Sequence, residues 1–349
     1  MRRLVVFVLV LAVAACSSAP PAPPPIAPAA PPKAAPPPST ATAAVSASAA
    51  PSAAPSAPPA APPVPTFSVK LQREIEAPVT ALALDAPPHA AALGQDAAWI
   101  HDAKGWRSVK LPDAVVKDRP AGLRIFYGRD DRVRVVGTRT TERGPSMIYL
   151  RDKPRGFIPG AHEAGRLSNG DGAIVTILGT KDPEIVCRPA ALCIIKRRSG
   201  WTMIPAPADI AQVTLGDDVG WGVGDKTLYR LGDRFQAIGK PGAWQRADDL
   251  FALRDRAYVV ETDAARIHAF DGKEWQVTPS PIPHPRAMWG ASASALWLVG
   301  DGIAFFDGKE WRVVADVIGP FTAVLGRSAD DVWIGGASGV FRVSAPPRP

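Results

Sequence analysis

From residue 67 onward, short apolar runs of four to eight residues alternate with Gly- and Asp-rich turns, and no 3.6-residue periodicity runs through them. Seven of these runs resemble one another: "HAAALG" (89–94), "DRVRVVG" (131–137), "GAIVTILG" (172–179), "DDVGWGVG" (217–224), "DRAYVVE" (255–261), "SALWLVG" (294–300) and "DDVWIGG" (330–336). They recur at a period of roughly 40 residues. Each is preceded by another short apolar run, such as "VTALAL" (79–84), "LRIFYG" (123–128) or "FTAVLG" (321–326). Each is followed by a third: "AAWIHD", "SMIYLR", "LCIIKR", "TLYRLG", "RIHAFD", "GIAFFD" and "GVFRVS". A fourth opens on an aromatic residue at Trp106, Phe157, Trp201, Phe235, Trp275 and Trp311. Four short strands at this period predict an all-β, seven-bladed β-propeller of four-stranded antiparallel blades. Sheets packed on both faces explain the incomplete alternation. The Asp-Gly pairs of "DGKE" at 271–274 and 307–310 predict tight hairpins.

The last unit lacks a fourth strand. The segment 67–73, within "FSVKLQREI" (67–75), begins with an aromatic residue like the fourth strands and shares "SVKL" with 108–111. It is expected to complete the last blade and close the ring. An unfinished outer edge would leave backbone groups unpaired.

The units "DDVWIGGASGVFRV" and "ALWLVGDGIAFFDGKEW" resemble the propeller repeats of two-component-regulator sensors and of exported bacterial lipoproteins. The resemblance implies fold and leaves activity open, because propellers host many functions.

The N-terminal stretch has a different composition. "MRRLVVFVLVLAVAAC" has a basic start, an apolar run from Leu4 to Val13, and small residues leading to Cys16. It is too short to span a bilayer, which takes roughly 20 residues, and it reads as a signal peptide over 1–15. "VAAC" resembles the lipobox of bacterial lipoproteins, which implies that Cys16 becomes the lipid-bearing N-terminus. Ser17 in place of Asp implies the outer rather than the inner membrane. Residues 17–65 are almost wholly Pro, Ala and Ser, with Lys33 the only charge. Such a stretch buries too little to offset its ordering entropy. The expected organisation is therefore a signal peptide, a lipid-bearing Cys16 with a tether to residue 66, and a propeller over 67–349.

The formal net charge of +7 includes Arg2, Arg3 and Lys33 outside the propeller. No concentrated basic stripe points to nucleic acid. Cys187 and Cys193, in "CRPAALC", are expected to form a disulfide in an oxidising compartment. No His stands near them at metal-ligand spacing, so neither metal nor cofactor is expected.

The paired acids Asp130–Asp131, Asp217–Asp218 and Asp330–Asp331 recur at one turn, so they read as turn residues rather than a catalytic pair. The ten tryptophans fall mostly at repeated strand positions and read as core. "GWGVG" (220–224) lacks the following helix that a phosphate loop needs, and "NGDG" (169–172) reads as a turn. No HExxH, GxSxG or CxxC occurs.

One irregularity stands out. Most loops between second and third strands are short, but "TRTTERGPS" (138–146) and "TKDPEIVCRPAA" (180–191) are long. Long loops on a rigid scaffold accumulate binding residues. Together with "IPGAHEAG" (158–165) they predict one mixed-charge patch: Arg139, Glu142, Arg143, His162, Glu163, Lys181, Asp182, Glu184 and Arg188. The function expected is a monomeric, lipid-anchored, non-catalytic scaffold of the bacterial envelope that binds a protein or polysaccharide. The alternatives are a glycan hydrolase or lyase using His162, and a sensor of a small ligand.

Overall fold

The computed structural model describes residues 65–118, 121–127, 131–141, 144–154, 156–159, 176–178, 185–187, 192–197, 200–216, 219–239, 244–315, 317 and 319–343. All belong to one unit, Ala61–Pro349. The expected signal peptide, Cys16 and nearly all of the tether lie outside them.

Two strands open the described chain, β1 (Thr66–Phe67) and β2 (Leu71–Ile75). The first sheet is β3 (Ala81–Leu84), β4 (Ala90–Leu93), β5 (Ala97–Asp102) and β6 (Gly105–Lys110). A short helix, α1 (Asp113–Asp118), leads to the second sheet. That sheet is β7 (Ala121–Tyr127), β8 (Val133–Thr141), β9 (Gly144–Lys153) and β10 (Gly156–Pro159). The third is β11 (Thr176–Leu178), β12 (Ile185–Cys187), β13 (Leu192–Arg197) and β14 (Gly200–Pro205). The fourth is β15 (Gln212–Gly216), β16 (Val219–Val223), β17 (Leu228–Leu231) and β18 (Phe235–Ile238). The fifth is β19 (Asp249–Leu253), β20 (Arg256–Glu261), β21 (Arg266–Phe270) and β22 (Trp275–Pro279). The sixth is β23 (Ala287–Ser292), β24 (Ala295–Val299), β25 (Ile303–Phe306) and β26 (Trp311–Val314). The seventh begins with β27 (Phe321–Ser328), β28 (Asp331–Gly336) and β29 (Gly339–Val343).

Each sheet is an antiparallel meander in chain order, and the six predicted aromatics all fall in its fourth strand. The hairpins use the expected chemistry. Asp271 Oδ1 accepts the N–H groups of Lys273 and Glu274, both at 2.8 Å. Asp307 Oδ1 accepts those of Lys309 and Glu310. Gly272 and Gly308 take φ of 98° and 94°, where a side chain would be strained.

The core lies between sheets. One buried cluster joins the first and second sheets through Leu93, Ile100, Val135 and Leu150. Others join the third to the fourth, the fourth to the fifth, the fifth to the sixth and the sixth to the seventh. Another joins the seventh back to the first through Trp333, Val340, Leu82 and Ala92. Leading strands of consecutive sheets also pack side by side, β27 against β3 among them. The tryptophans serve these seams. Trp221 and Trp244 are fully buried between the fourth and fifth sheets, and Trp106 meets Trp333 edge-on between the first and seventh.

The N-terminal segment differs from expectation in detail. The strand that joins the last sheet is Leu71–Ile75 rather than 67–73, antiparallel to β29 with Leu71 opposite Val343. Thr66–Phe67 instead joins the outer edge of the sixth sheet, parallel to β26. One segment thus covers two edges.

Candidate functional site

The predicted patch lies largely outside the described residues: Glu142, Arg143, His162, Glu163, Lys181, Asp182, Glu184 and Arg188 do. What is described around it corrects its premises. The segment 138–146 is mostly strand, because β8 and β9 extend as a long hairpin, with Arg139 opposite Ser146 and Thr141 opposite Gly144. The segment 180–191 is not one loop either. It contains β12, and the run taken as the second strand of that unit, 172–179, supplies the first, β11. The strand "IVC" is only three residues long, which hid this division. Cys187 and Cys193 stand directly opposite in β12 and β13, fully buried and joined by a disulfide.

In the first, sixth and seventh sheets the second strand ends at a glycine for a steric reason. A Cβ on Gly94 would lie 2.8 Å from the carbonyl oxygen of Pro78, one on Gly300 would lie 2.2 Å from that of His284, and one on Gly336 would lie 2.3 Å from that of Pro320. At this position the connection entering each of these three sheets rests directly on the end of its second strand. The fifth sheet breaks the pattern with Glu261.

Glu261 is 2% exposed and His268, on the neighbouring β21, is fully buried. The Glu261 Oε2 atom is 3.1 Å from His268 Nε2, and Oε1 accepts the Gln245 N–H at 2.8 Å. Trp244 stands edge-on to the His268 ring and donates from Nε1 to the Gly224 carbonyl at 3.2 Å. His268 Nδ1 has no hydrogen-bond partner among the described residues. The carboxylate thus does for the entering connection what glycine's close approach does in the first, sixth and seventh sheets. With both side chains sealed from solvent, the pair anchors this loop and offers no surface to a substrate in this conformation. The sequence signal was present as the lone Glu in a column of glycines.

Beyond this anchor, polar side chains gather at the same end of the fifth and sixth sheets. Asp248 Oδ2 accepts the Thr262 N–H, and Oδ1 pairs with Arg246 Nε at 3.1 Å. His284 Nδ1 lies 2.6 Å from Asp301 Oδ2, and Arg286 lies 3.7 Å from the other oxygen. Side chains also reach from one leading strand to the next. Gln212 donates to the Asp248 carbonyl, Asp249 Oδ2 accepts the Met288 N–H at 2.9 Å, and Thr322 donates to the Val79 carbonyl. They satisfy backbone groups on edges that no further strand covers. Asp249 is partly open to solvent yet ringed by protein atoms. Burial pushes its carboxyl up to about 6, which the Met288 and Leu250 N–H groups and the Arg124 charge only partly offset.

One acid pair does more than make a turn. Asp331 accepts from Trp333 Nε1 at 2.9 Å and pairs with Arg327 and Arg342. Burial raises its carboxyl, but these partners outweigh it and hold the group below the usual carboxylate value. Arg327 also donates to the carbonyls of Asp85 and His89 in the first sheet. "GWGVG" is strand β16, with Trp221 in the core. Among the described residues no group of three or more His, Cys, Asp or Glu side chains could hold a metal ion.

No known family and no curated protein matches the sequence. Solved structures do match the fold. YCF48 bound to D1 peptide aligns with a TM-score of 0.57 at 13% identity, over 81% of this chain and 99% of that one. The N-terminal domain of BBS1 in complex with ARL6 gives 0.54 at 15% identity, over 82% and 98%. The extracellular domain of the putative hybrid two-component system BT3049 from B. thetaiotaomicron gives 0.53 at 11% identity, over 77% of this chain and 40% of that one. The fold is a β-propeller.

Proposed function

We propose that the chain is a seven-bladed propeller, closed by β2 in the last blade, that serves as a protein-interaction module held to the bacterial envelope, at the outer membrane, by a lipid on Cys16. The observation that carries the interaction reading is the mixed-charge surface of Arg246, Asp248, His284, Arg286 and Asp301 at one end of the fifth and sixth sheets. It is held on rigid leading strands and by the buried Glu261–His268 anchor. Paired charges of both signs suit a polar macromolecular partner. Propellers of nearly the same length hold a peptide in YCF48 and a protein in BBS1. Seven sheets in chain order, with β27 packed on β3, support the closed ring.

The test is in-cell crosslinking of the full chain, comparing wild type with the triple variant Arg246→Glu, Arg286→Glu, Asp301→Arg. Specific crosslinked proteins should disappear in the variant, and an identical set would remove this surface. Separately, an alkyne fatty acid should label wild type and leave Cys16→Ser unlabelled and released from the membrane fraction. A sensor role is favoured by the likeness to the BT3049 extracellular domain. A small ligand would then be sought beside Asp249.

A further inference from the structure

The outer edge of the sixth sheet carries an added strand that is not part of its meander. β1 runs parallel to β26, whereas the strands within each sheet are antiparallel. Its hold is small: the Val313 N–H donates to the Pro65 carbonyl and the Ala315 N–H to the Phe67 carbonyl, each at 2.9 Å. The side chains then follow a strict alternation. Phe67, Val69 and Leu71 turn inward onto the cluster between the sixth and seventh sheets, with Phe67 edge-on to Phe305 at 6.3 Å. Thr66, Ser68 and Lys70 are exposed. The segment thus fills a groove that runs from the edge of β26 to the edge of β29. Recognition comes from backbone pairing on β26 and apolar seats for alternate residues, which is how sheets take up extended peptides.

The tetrapeptide "SVKL" marks the chemistry that such a groove selects. It occurs at 68–71 in this segment and again at 108–111, in and just after the outer strand β6. There Val109 and Leu111 are buried between the first and second sheets. In both places an exposed polar residue separates a valine and a leucine that face a seam.

We propose that the groove along β26 and the sixth–seventh seam is a strand-acceptor site for an extended peptide of pattern aromatic-x-Val-x-Leu, occupied in cis by Thr66–Leu71 and open to such a segment of another protein when β1 detaches. A two-residue strand with two observed backbone bonds lies at the low end of local stability. Being tethered, it still competes at an effective concentration on the order of millimolar. The cis segment therefore sets a threshold that a trans peptide must exceed. The inference rests on the β1–β26 pairing, not on the charged surface, so either can fail alone.

The probe is a fluorescein-labelled peptide of residues 64–71 added to the full chain. Wild type should bind it weakly, and the variant Phe67→Ser, Val69→Ser, which loosens the cis segment but keeps β2, should bind about 10-fold tighter or more. Equal binding by the two proteins, with the variant's melting transition retained, would overturn the proposal. Hydrogen exchange on wild type gives an independent reading. The Val313 and Ala315 amides should exchange at least about 10-fold faster than that of Phe305, and excess peptide should slow them. If they are as protected as Phe305 and unmoved by peptide, β1 does not detach and the site does not exist.

Discussion

At the scale of single residues, the repeat glycines Gly94, Gly224, Gly300 and Gly336 are close contacts. Gly300→Ala would push a Cβ to within 2.2 Å of the His284 backbone and should cost about 2–4 kcal/mol in denaturant unfolding. Gly232→Ala, with nothing within 4 Å, should change stability by less than about 0.5 kcal/mol. Glu261 occupies the same place by a different device. Glu261→Ala strips the Gln245 N–H and His268 Nε2 of their buried acceptor and should cost about 2–4 kcal/mol, measured in the same way. Asp249 supplies a pH dependence. Its folded value of about 6 lies above the unfolded value near 3.9, so folding favours the protonated carboxyl. Its contribution is full below about pH 4, falls as pH rises through 6, and is a constant penalty above that. Asp249→Asn keeps an acceptor for the Met288 N–H and removes the charge. At pH 7 it should stabilise by about 1–3 kcal/mol, an advantage that shrinks toward zero as the pH falls to 4. Unfolding curves for both proteins at pH 4, 5, 6 and 7 check this.

At the scale of elements, strands with long apolar runs were plain in the sequence. β5 and β13 have the boundaries of "AAWIHD" and "LCIIKR"; in β5, Ala97 on one face and Ala98 and Ile100 on the other are buried, which leaves one register that seals the core. The hairpins at Asp271 and Asp307 were equally legible from Asp-Gly. Where the sequence misled was in the second and third sheets. The polar run "TRTTERGPS" looks like a loop but pairs as a hairpin, since backbone pairing does not require apolar side chains once a register is set upstream. β12 was hidden because three residues carry too little periodicity to read. Its cross-link to β13 is expected to matter for that reason. Cys187→Ser should lower stability by about 2–3 kcal/mol, and a reductant should lower the melting temperature of wild type but not of the variant.

At the scale of the whole molecule, stability comes from seams between sheets, and the N-terminal segment seals one of them. Deleting 66–75 uncovers the edges of β26 and β29 together and removes Ile75 from the cluster shared by the seventh and first sheets. The melting temperature of the domain should fall by several degrees or more, whereas deleting 17–60 should leave it unchanged. The sequence by itself determined the all-β propeller class and the aromatic residues in the fourth strands of the first six sheets. Both are local patterns, repeated often enough to average out irregular copies. It also flagged the two cysteines that pair. Only the tertiary structure decided that Glu261 meets His268, that Arg327 crosses to the first sheet, that Thr66–Phe67 and Leu71–Ile75 go to different sheets, and which polar side chains share an end of the molecule. Some of these contacts join residues far apart in the chain, such as Leu71 and Val343. They follow from the packing of whole sheets on one another, and the local pattern along the chain carries no record of it.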